Sequence, residues 1–419
     1  MKHPLLGIPE AYRRGEKTGI TSVCSAHHVV IEAALRLGRD MDRDVLIEAT
    51  CNQVNQDGGY TGMTPAAFRN FVEGIAEKTG LAMDRIILGG DHLGPNPWKH
   101  LPPADAMAKA ETMIAAYAAA GFTKLHLDTS MGCQGEPVAL ADEVTAQRAA
   151  RLATVAENNK NGSFDPVYVI GTEVPVPGGA FESLDHLQVT RPEAVMETYE
   201  VHRKAFEKAG QSDALSRVIA LVVQPGVEFG HDDVIYFDAT KAEALSQCLS
   251  RLPGAVFEAH STDYQRMSGL RALVRHGFSI LKVGPWLTFA LREALYGLDA
   301  IADVLDGQAP QSRLMRAMEG AMEKAPENWK KYYSGSATEQ WLMRHFSYSD
   351  RIRYYWPSPA ASEAVAQLRS RLRGKMIPPT LLHQYLPSLD QSLASSDFDE
   401  LLISSVQSVL KLYDEAIYG

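Results

Sequence analysis

A chain of 419 residues, 45% hydrophobic and 22% charged, is long enough for one large core or a main domain with a sizeable appendage, and is not composed like a disordered polymer. Its net charge of −10 argues against nucleic acid or an anionic membrane as partner, since both demand a basic face that releases counterions. A small molecule or another protein is the expected partner, and a homo-oligomer is compatible with the composition.

Four cysteines, at 24, 51, 133 and 248, are too few and too scattered for a disulfide framework, and none forms a Cys-x-x-Cys pair. Nowhere do about eighteen apolar residues run together, as a spanning helix requires. The expected compartment is the cytoplasm.

Eight short apolar runs follow one another along the chain: "TGITSVC", "DVLIEA", "RIILGGD", "KLHLD", "VYVIGTE", "RVIALVVQ", "AVFEAH" and "SILKVG". Helix-period stretches with clear ends lie between them. Thr64 and Pro65 open one, Gly80 and Gly121 close two, and "TRPEAVMETYEVHRKAFEKAG" carries acid first and Lys-Gly last, as the helix dipole prefers. Strand and helix in alternation mean a parallel sheet, and eight units over the first 305 residues predict a (β/α)₈ TIM barrel. A doubly wound open sheet is the competing architecture, but the Gly-x-Gly-x-x-Gly turn of a dinucleotide fold is missing after the first strand, where "CSAHHVV" stands. From 306 to 419 the alternation gives way to helical segments separated by Pro, Gly and Ser, predicting a helical C-terminal extension packed on the barrel.

Chemistry in such a barrel sits at the C-terminal ends of the strands. Polar residues collect at those positions: Glu48, Asn52, Gln53, Asn55 and Gln56; Asp91 and His92; His126 and Asp128; Glu173; Gln224; Glu258, His260 and Asp263; and Lys282. Side chains two apart on a strand share a face, so several point inward, and buried ionisable groups must pair or bind a metal. His92 and His260 end the third and seventh strands, across the mouth from each other, and Glu173 ends the fifth. Two imidazoles and a carboxylate around an open position suit a divalent ion, zinc first and manganese as an alternative. Asp91 is expected to serve as base on a substrate hydroxyl, against the plainer role of a loop-shaping hydrogen bond. Lys282 is read as an ion-pair partner of Glu258 rather than a Schiff-base lysine, and Cys24, Cys51 and Cys133 as packing groups. The amide-rich run "CNQVNQDGGYTGMTP" suits sugar hydroxyls. In "HFSYSDRIRYYWPSP", Arg351 and Arg353 sit among aromatics, where they bind a phosphate or pack an interface.

With those residues in view, "GGDHLGPNPW", "GFTKLHLDTSM", "IGTEVPVPGGA" and "SYSDRIRYYWP" make nearly the whole chain resemble the Z-type subunits of class II D-tagatose-1,6-bisphosphate aldolase, the GatZ/KbaZ family. The resemblance implies a barrel that supports a separate class II aldolase catalytic subunit in galactitol or N-acetylgalactosamine catabolism. Some relatives are described instead as C4 epimerases of ketohexoses or their phosphates, others as tagatose-6-phosphate kinases. A kinase is not expected, because no Gly-x-x-x-x-Gly-Lys-Ser/Thr loop occurs.

The chain is also similar to the catalytic class II aldolases, which place an Asp-His pair after the third strand, as Asp91 and His92 stand here. Their fifth-strand Gly-Thr-x-His turn is matched by Gly171 and Thr172 but not at Val174, leaving Glu173 as the substitute ligand. Their third histidine is matched by His260, but "STDYQ" follows it in place of a phosphate-binding glycine turn. The expected functions are thus two. One is an accessory subunit. The other is a metal-dependent C4 epimerase in which His92, Glu173 and His260 hold the ion, Asp91 with Asp128 moves the proton, and Asn52, Gln53, Asn55, Gln224, Glu258, Asp263, Lys282, Arg351 and Arg353 contact the sugar or its phosphate.

Overall fold

The structure, a computed structural model, describes residues 2–171, 187–252, 254–390, 392–393 and 397–419. Counting barrel strands only, β1 is Ile20–Cys24, β2 Val45–Thr50, β3 Ile86–Leu93, β4 Lys124–Leu127, β5 Val167–Ile170, β6 Val218–Val222, β7 Val256–Ala259 and β8 Phe278–Val283. Each pairs in parallel with its sequence neighbours, and β8 returns to β1, closing the barrel. The TIM-barrel architecture with a helical C-terminal region is therefore the observed one.

The caps read from sequence form as chemistry dictates. Thr64 Oγ1 accepts the Ala67 N–H at 3.3 Å with Pro65 in the first turn, and Gly80 ends that helix at φ +77.

Two apolar layers hold the barrel. Between strands and helices runs the large core, while inside the cylinder Leu46, Ile87, Val167, Val256 and Ile280 pack at the N-terminal end. Leu5 and Ile8, from the N-terminal segment, join this inner cluster and close the bottom. One step further along each strand the interior turns polar: Leu46 gives way to Glu48, Ile87 to Gly89 and then Asp91, Val256 to Glu258 and His260, Ile280 to Lys282. The alternation that fills the bottom with aliphatics thus loads the top with charge.

Past helix Pro285–Leu305 come helices Arg313–Lys324, Ala337–Phe346, Pro359–Leu372, Pro379–Tyr385 and Phe398–Tyr418. The last packs against helices His28–Asp40 and Pro285–Leu305, and Tyr413 Oη donates to Thr262 O at 2.7 Å in the loop after β7. The segment 347–358 reaches the mouth, held by Asp350, whose carboxylate accepts from Thr288 Oγ1 at 2.6 Å and Arg292 Nε at 3.1 Å. Among the described residues, no helix is long and apolar enough to cross a membrane.

Candidate active site

The third strand answers why an acid and an imidazole stand side by side in "GGDHLG". Strict alternation would send one of them outward. Instead the register of β3 against β4 shifts between Gly90 and Leu93, and His92 adopts φ +49. This bulge leaves both Asp91 and His92 lining the same cavity. A non-glycine residue at positive φ costs on the order of 1 kcal/mol and persists where surrounding structure imposes it, as functional sites often do. Gly89 is needed for the same packing, since a Cβ there would lie 2.7 Å from Glu48 Cγ.

Three imidazoles form a triangle at the floor of the mouth. Ring centroids are 5.1 Å apart for His92 and His126, 5.0 Å for His92 and His260, and 5.1 Å for His126 and His260. A carboxylate stands beside each ring: Asp128 at 2.8 Å from His92 Nδ1, Asp91 at 2.9 Å from His126 Nδ1, and Glu258 at 2.9 Å from His260 Nε2. A carboxylate on one nitrogen fixes the ring and leaves the other nitrogen for a ligand or proton. Among the described residues, the buried His126 Nε2 has no hydrogen-bond partner, an orphan donor atom of the kind a metal satisfies.

Beneath the imidazoles lies a buried ion network. Lys124 Nζ sits 2.5 Å from Glu48 and 2.5 Å from Glu258, all three side chains being wholly enclosed. Lys282 Nζ is 2.6 Å from Glu48, also contacts Asp91, and lies 3.6 Å from Glu258. Lys282 is therefore an ion-pair partner, as read from sequence, though Glu48 and Asp91 are its closer partners. Two lysines against Glu48, Asp91, Asp128 and Glu258 leave the carboxylates in excess, a surplus that a bound cation or a protonated imidazole would offset.

Burial alone would raise the Asp91 carboxyl, but His92, Lys282 and His126 hold it well below the carboxylate range. Burial also opposes ionisation of Asp128, yet its hydrogen bond to His92 brings it down to about 2. Burial would lower His92, and Asp91 with Asp128 outweighs it and raises the imidazole. His260 is lowered to about 3, chiefly by burial, and so presents a neutral ring suited to ligation.

Asp91, His126, Glu258 and His260 each offer a ligand atom, all within 4.8 Å of one another. Of the expected set, His92 and His260 are brought together, Glu173 lies outside the described residues, and the four-residue donor group contains His126 in place of His92. The cavity, about 700 Å³ out to its open mouth, is lined by Asn52, Gln53, Asp91, His92, His260, Asp263, Lys282 and Arg353 among the expected residues, and by Cys24, Thr50, Tyr60 and Tyr354 besides. Others are placed elsewhere. Asn55 shapes its own loop, donating to Cys51 O and accepting from Asp57 N and Gly59 N. Gln224 accepts from Gly226 N and Val227 N, and Arg351 donates to Asn328 O while stacking 3.4 Å over Tyr332. Glu258 and Asp128 stand behind the cavity wall, holding His260 and His92. Asp263 lines the cavity but spends one carboxylate oxygen on Gly284 N and Trp286 N, at 3.0 and 2.8 Å.

Lys124 was not among the residues singled out from sequence. Its signal was available, since Lys124, His126 and Asp128 are spaced two apart on one strand face. Tyr60 and Tyr354 carried no such signal.

Beside the cavity, Glu228 is buried and its carboxyl is pushed up to about 7, mainly by that burial. A carboxyl raised in the fold contributes stability that is present below its unfolded value and lost as pH rises through about 7. Glu228→Gln keeps an acceptor for the Phe229 N–H, 3.0 Å away. Relative to the parent, the variant should gain on the order of 2 kcal/mol between pH 4 and pH 8. Urea titrations at the two pH values measure this, and an identical difference at both would rule it out.

A family model described as D-tagatose-1,6-bisphosphate aldolase subunit GatZ/KbaZ-like matches residues 5–418. A protein of Agrobacterium fabrum named D-tagatose 6-phosphate 4-epimerase is 52% identical over 415 residues, 98% of each chain. A crystal structure of a probable tagatose 6 phosphate kinase from Sinorhizobium meliloti superposes with a TM-score of 0.88 at 57% identity, covering 95% of this chain and 100% of the other. A fructuronate-tagaturonate epimerase from Cohnella laeviribosi reaches a TM-score of 0.50 at 13% identity over 95% and 81% of the chains, a likeness of fold alone.

Proposed function

The chain belongs to the D-tagatose-1,6-bisphosphate aldolase subunit GatZ/KbaZ-like family, and from that premise we propose that it is a divalent-metal-dependent C4 epimerase of ketohexoses or their phosphates. The relative named D-tagatose 6-phosphate 4-epimerase puts that sugar phosphate first among substrates. The observation that carries the reading is the floor of the cavity, where three imidazoles, each beside its own carboxylate, meet the Asp91–Lys282 ion pair. A scaffold that only steadied another subunit would require no such cluster at the end of an open cavity.

C4 of a 2-ketose carries no acidic hydrogen, so inverting it without a redox cofactor calls for breaking the C3–C4 bond. Asp91 accepts the proton of the C4 hydroxyl as that oxygen becomes an aldehyde. The C3–C4 electron pair passes into a C2–C3 enediolate, with the charge on the former ketone oxygen. The aldehyde then turns its other face, the bond re-forms, and O4 recovers the proton from Asp91, so nothing is consumed. Lys282 and His92 keep the charge on Asp91 balanced, and Asp128 fixes the His92 ring. A divalent ion, zinc or manganese, supplies polarisation of the ketose oxygens when bound. His126 and His260 would hold it, with His92, Glu258 and Glu173 as further ligands.

The family description favours a second reading, an accessory subunit for a class II aldolase catalytic subunit. Purified alone and offered fructose, tagatose and their 6-phosphates, the chain should interconvert C4 epimers. Activity appearing only as stabilisation of an added aldolase subunit would instead select the accessory role. His126→Ala and His260→Ala should each retain zinc or manganese at least ~10-fold less tightly than the parent, as elemental analysis after dialysis against a chelator would measure. A parent chain that takes up no divalent ion on titration would end the metal half of the proposal.

A further inference from the structure

We propose that Arg353, delivered to the barrel mouth by the C-terminal extension, is the anchor for the phosphate of a phosphorylated sugar, with the phenols of Tyr60 and Tyr354 beside it. The proposal deepens the epimerase reading and rests on it for what is turned over, though not for what binds.

Among the described residues, two cationic side chains line the cavity, Lys282 and Arg353. Lys282 is committed at the floor to Glu48 and Asp91. Arg353 is different: among the described residues no carboxylate lies within 4.0 Å of its guanidinium, and its hydrogen bonds go to neutral acceptors, Ser349 O, Asp350 O at 3.0 Å and Tyr354 Oη at 3.0 Å. The nearby Asp350 carboxylate is engaged by Arg292 Nε and Thr288 Oγ1. A guanidinium braced by carbonyls and, among the described residues, lacking an ion-pair partner within 4.0 Å, on the wall of a cavity, is pre-positioned for an anion.

The alternative anchor is already filled. Helix Pro285–Leu305 begins at the mouth, where backbone amides would suit a phosphate, but Asp263 accepts from the Gly284 and Trp286 amides. An anionic ligand is therefore turned from the helix terminus toward Arg353. There the Tyr60 and Tyr354 rings meet edge to face at 4.7 Å, and Arg353 stacks 4.6 Å from the Tyr354 centroid, so the guanidinium has little freedom to lose on binding. Carbonyl and hydroxyl chemistry at the floor and an anion anchor on the wall fit a sugar carrying a phosphate at the end remote from its ketone.

The test uses the full chain and the variants Arg353→Met and Arg353→Lys, each checked for fold by circular dichroism. Inorganic phosphate should inhibit the parent competitively, and its inhibition constant should rise ~10- to 100-fold in Arg353→Met, the range for losing charge-assisted hydrogen bonds. The preference in kcat/KM for tagatose 6-phosphate over tagatose should fall by a similar factor, mostly through KM. Arg353→Lys should recover part of both, since it restores charge without the fork. A parent that turns over tagatose and its 6-phosphate equally well would overturn the phosphate anchor and leave the epimerase standing. An unchanged preference in Arg353→Met would do the same. If no ketohexose is turned over, calorimetric binding of tagatose 6-phosphate decides: ~10-fold weaker binding to Arg353→Met supports the anchor, and equal binding overturns it.

Discussion

Replacing Asp91 by Asn is expected to lower kcat for the interconversion of tagatose 6-phosphate and fructose 6-phosphate by about 10³, within the range that a positioned general base contributes. Asn matches Asp in shape but accepts no proton, and Asp91 is the cavity-lining carboxylate at the imidazole floor. Its own environment keeps it ionised, because His92, Lys282 and His126 together outweigh burial. KM should change little, since the lost interaction belongs to the proton in flight rather than to the bound sugar. Lys282 keeps Glu48 at 2.6 Å in the variant, so the network beneath retains a paired ammonium. A kcat for Asp91→Asn within threefold of the parent, with the product verified as the C4 epimer, would remove Asp91 from the base role.

Much of the fold was legible because barrel strands announce themselves twice, by apolar runs and by polar residues at their ends. Glu48, Asp91, His92, His260 and Lys282 could be assigned to one rim because loop position and strand alternation both point there. The reason Asp91 and His92 share a cavity was not legible. It depends on a register shift against β4 and on a positive φ at a histidine, which no local pattern encodes. Lys124 shares its strand face with His126 and Asp128, but a lysine opening a strand reads as solvated, and its two partners, Glu48 and Glu258, come from other strands that meet it only on barrel closure. Arg351 and Arg353 looked equivalent in sequence. In the short 3₁₀ turn Arg351–Tyr355 they diverge, one stacking on Tyr332 within the extension and the other lining the mouth. The sequence offers Asn55 and Gln224 as sugar contacts, and in the structure the side-chain oxygen of each accepts from neighbouring backbone amides.

Lys124→Met is expected to destabilise the fold by roughly 3–5 kcal/mol at neutral pH, the cost of leaving buried charges without their partner. Methionine has nearly the volume of the lysine stem, so the loss would come from charge rather than from a cavity. With Lys124 gone, Glu48 and Glu258 face each other with Lys282 as the one ammonium near among the described residues, at 2.6 Å from the first and 3.6 Å from the second, and with His260 2.9 Å from Glu258. One of the two carboxyls should then take up a proton, which raises its value in the fold above that in the unfolded chain. Stability from such a group is present at low pH and lost as pH rises through the raised value. The deficit of Lys124→Met should therefore shrink toward pH 4 and grow toward pH 8, and adding Glu48→Gln should recover part of it at the higher pH. Chemical denaturation across that range separates the two causes: a deficit independent of pH would mark a packing defect, and Lys124 would no longer count as the counter-ion that makes the loaded top of the barrel stable.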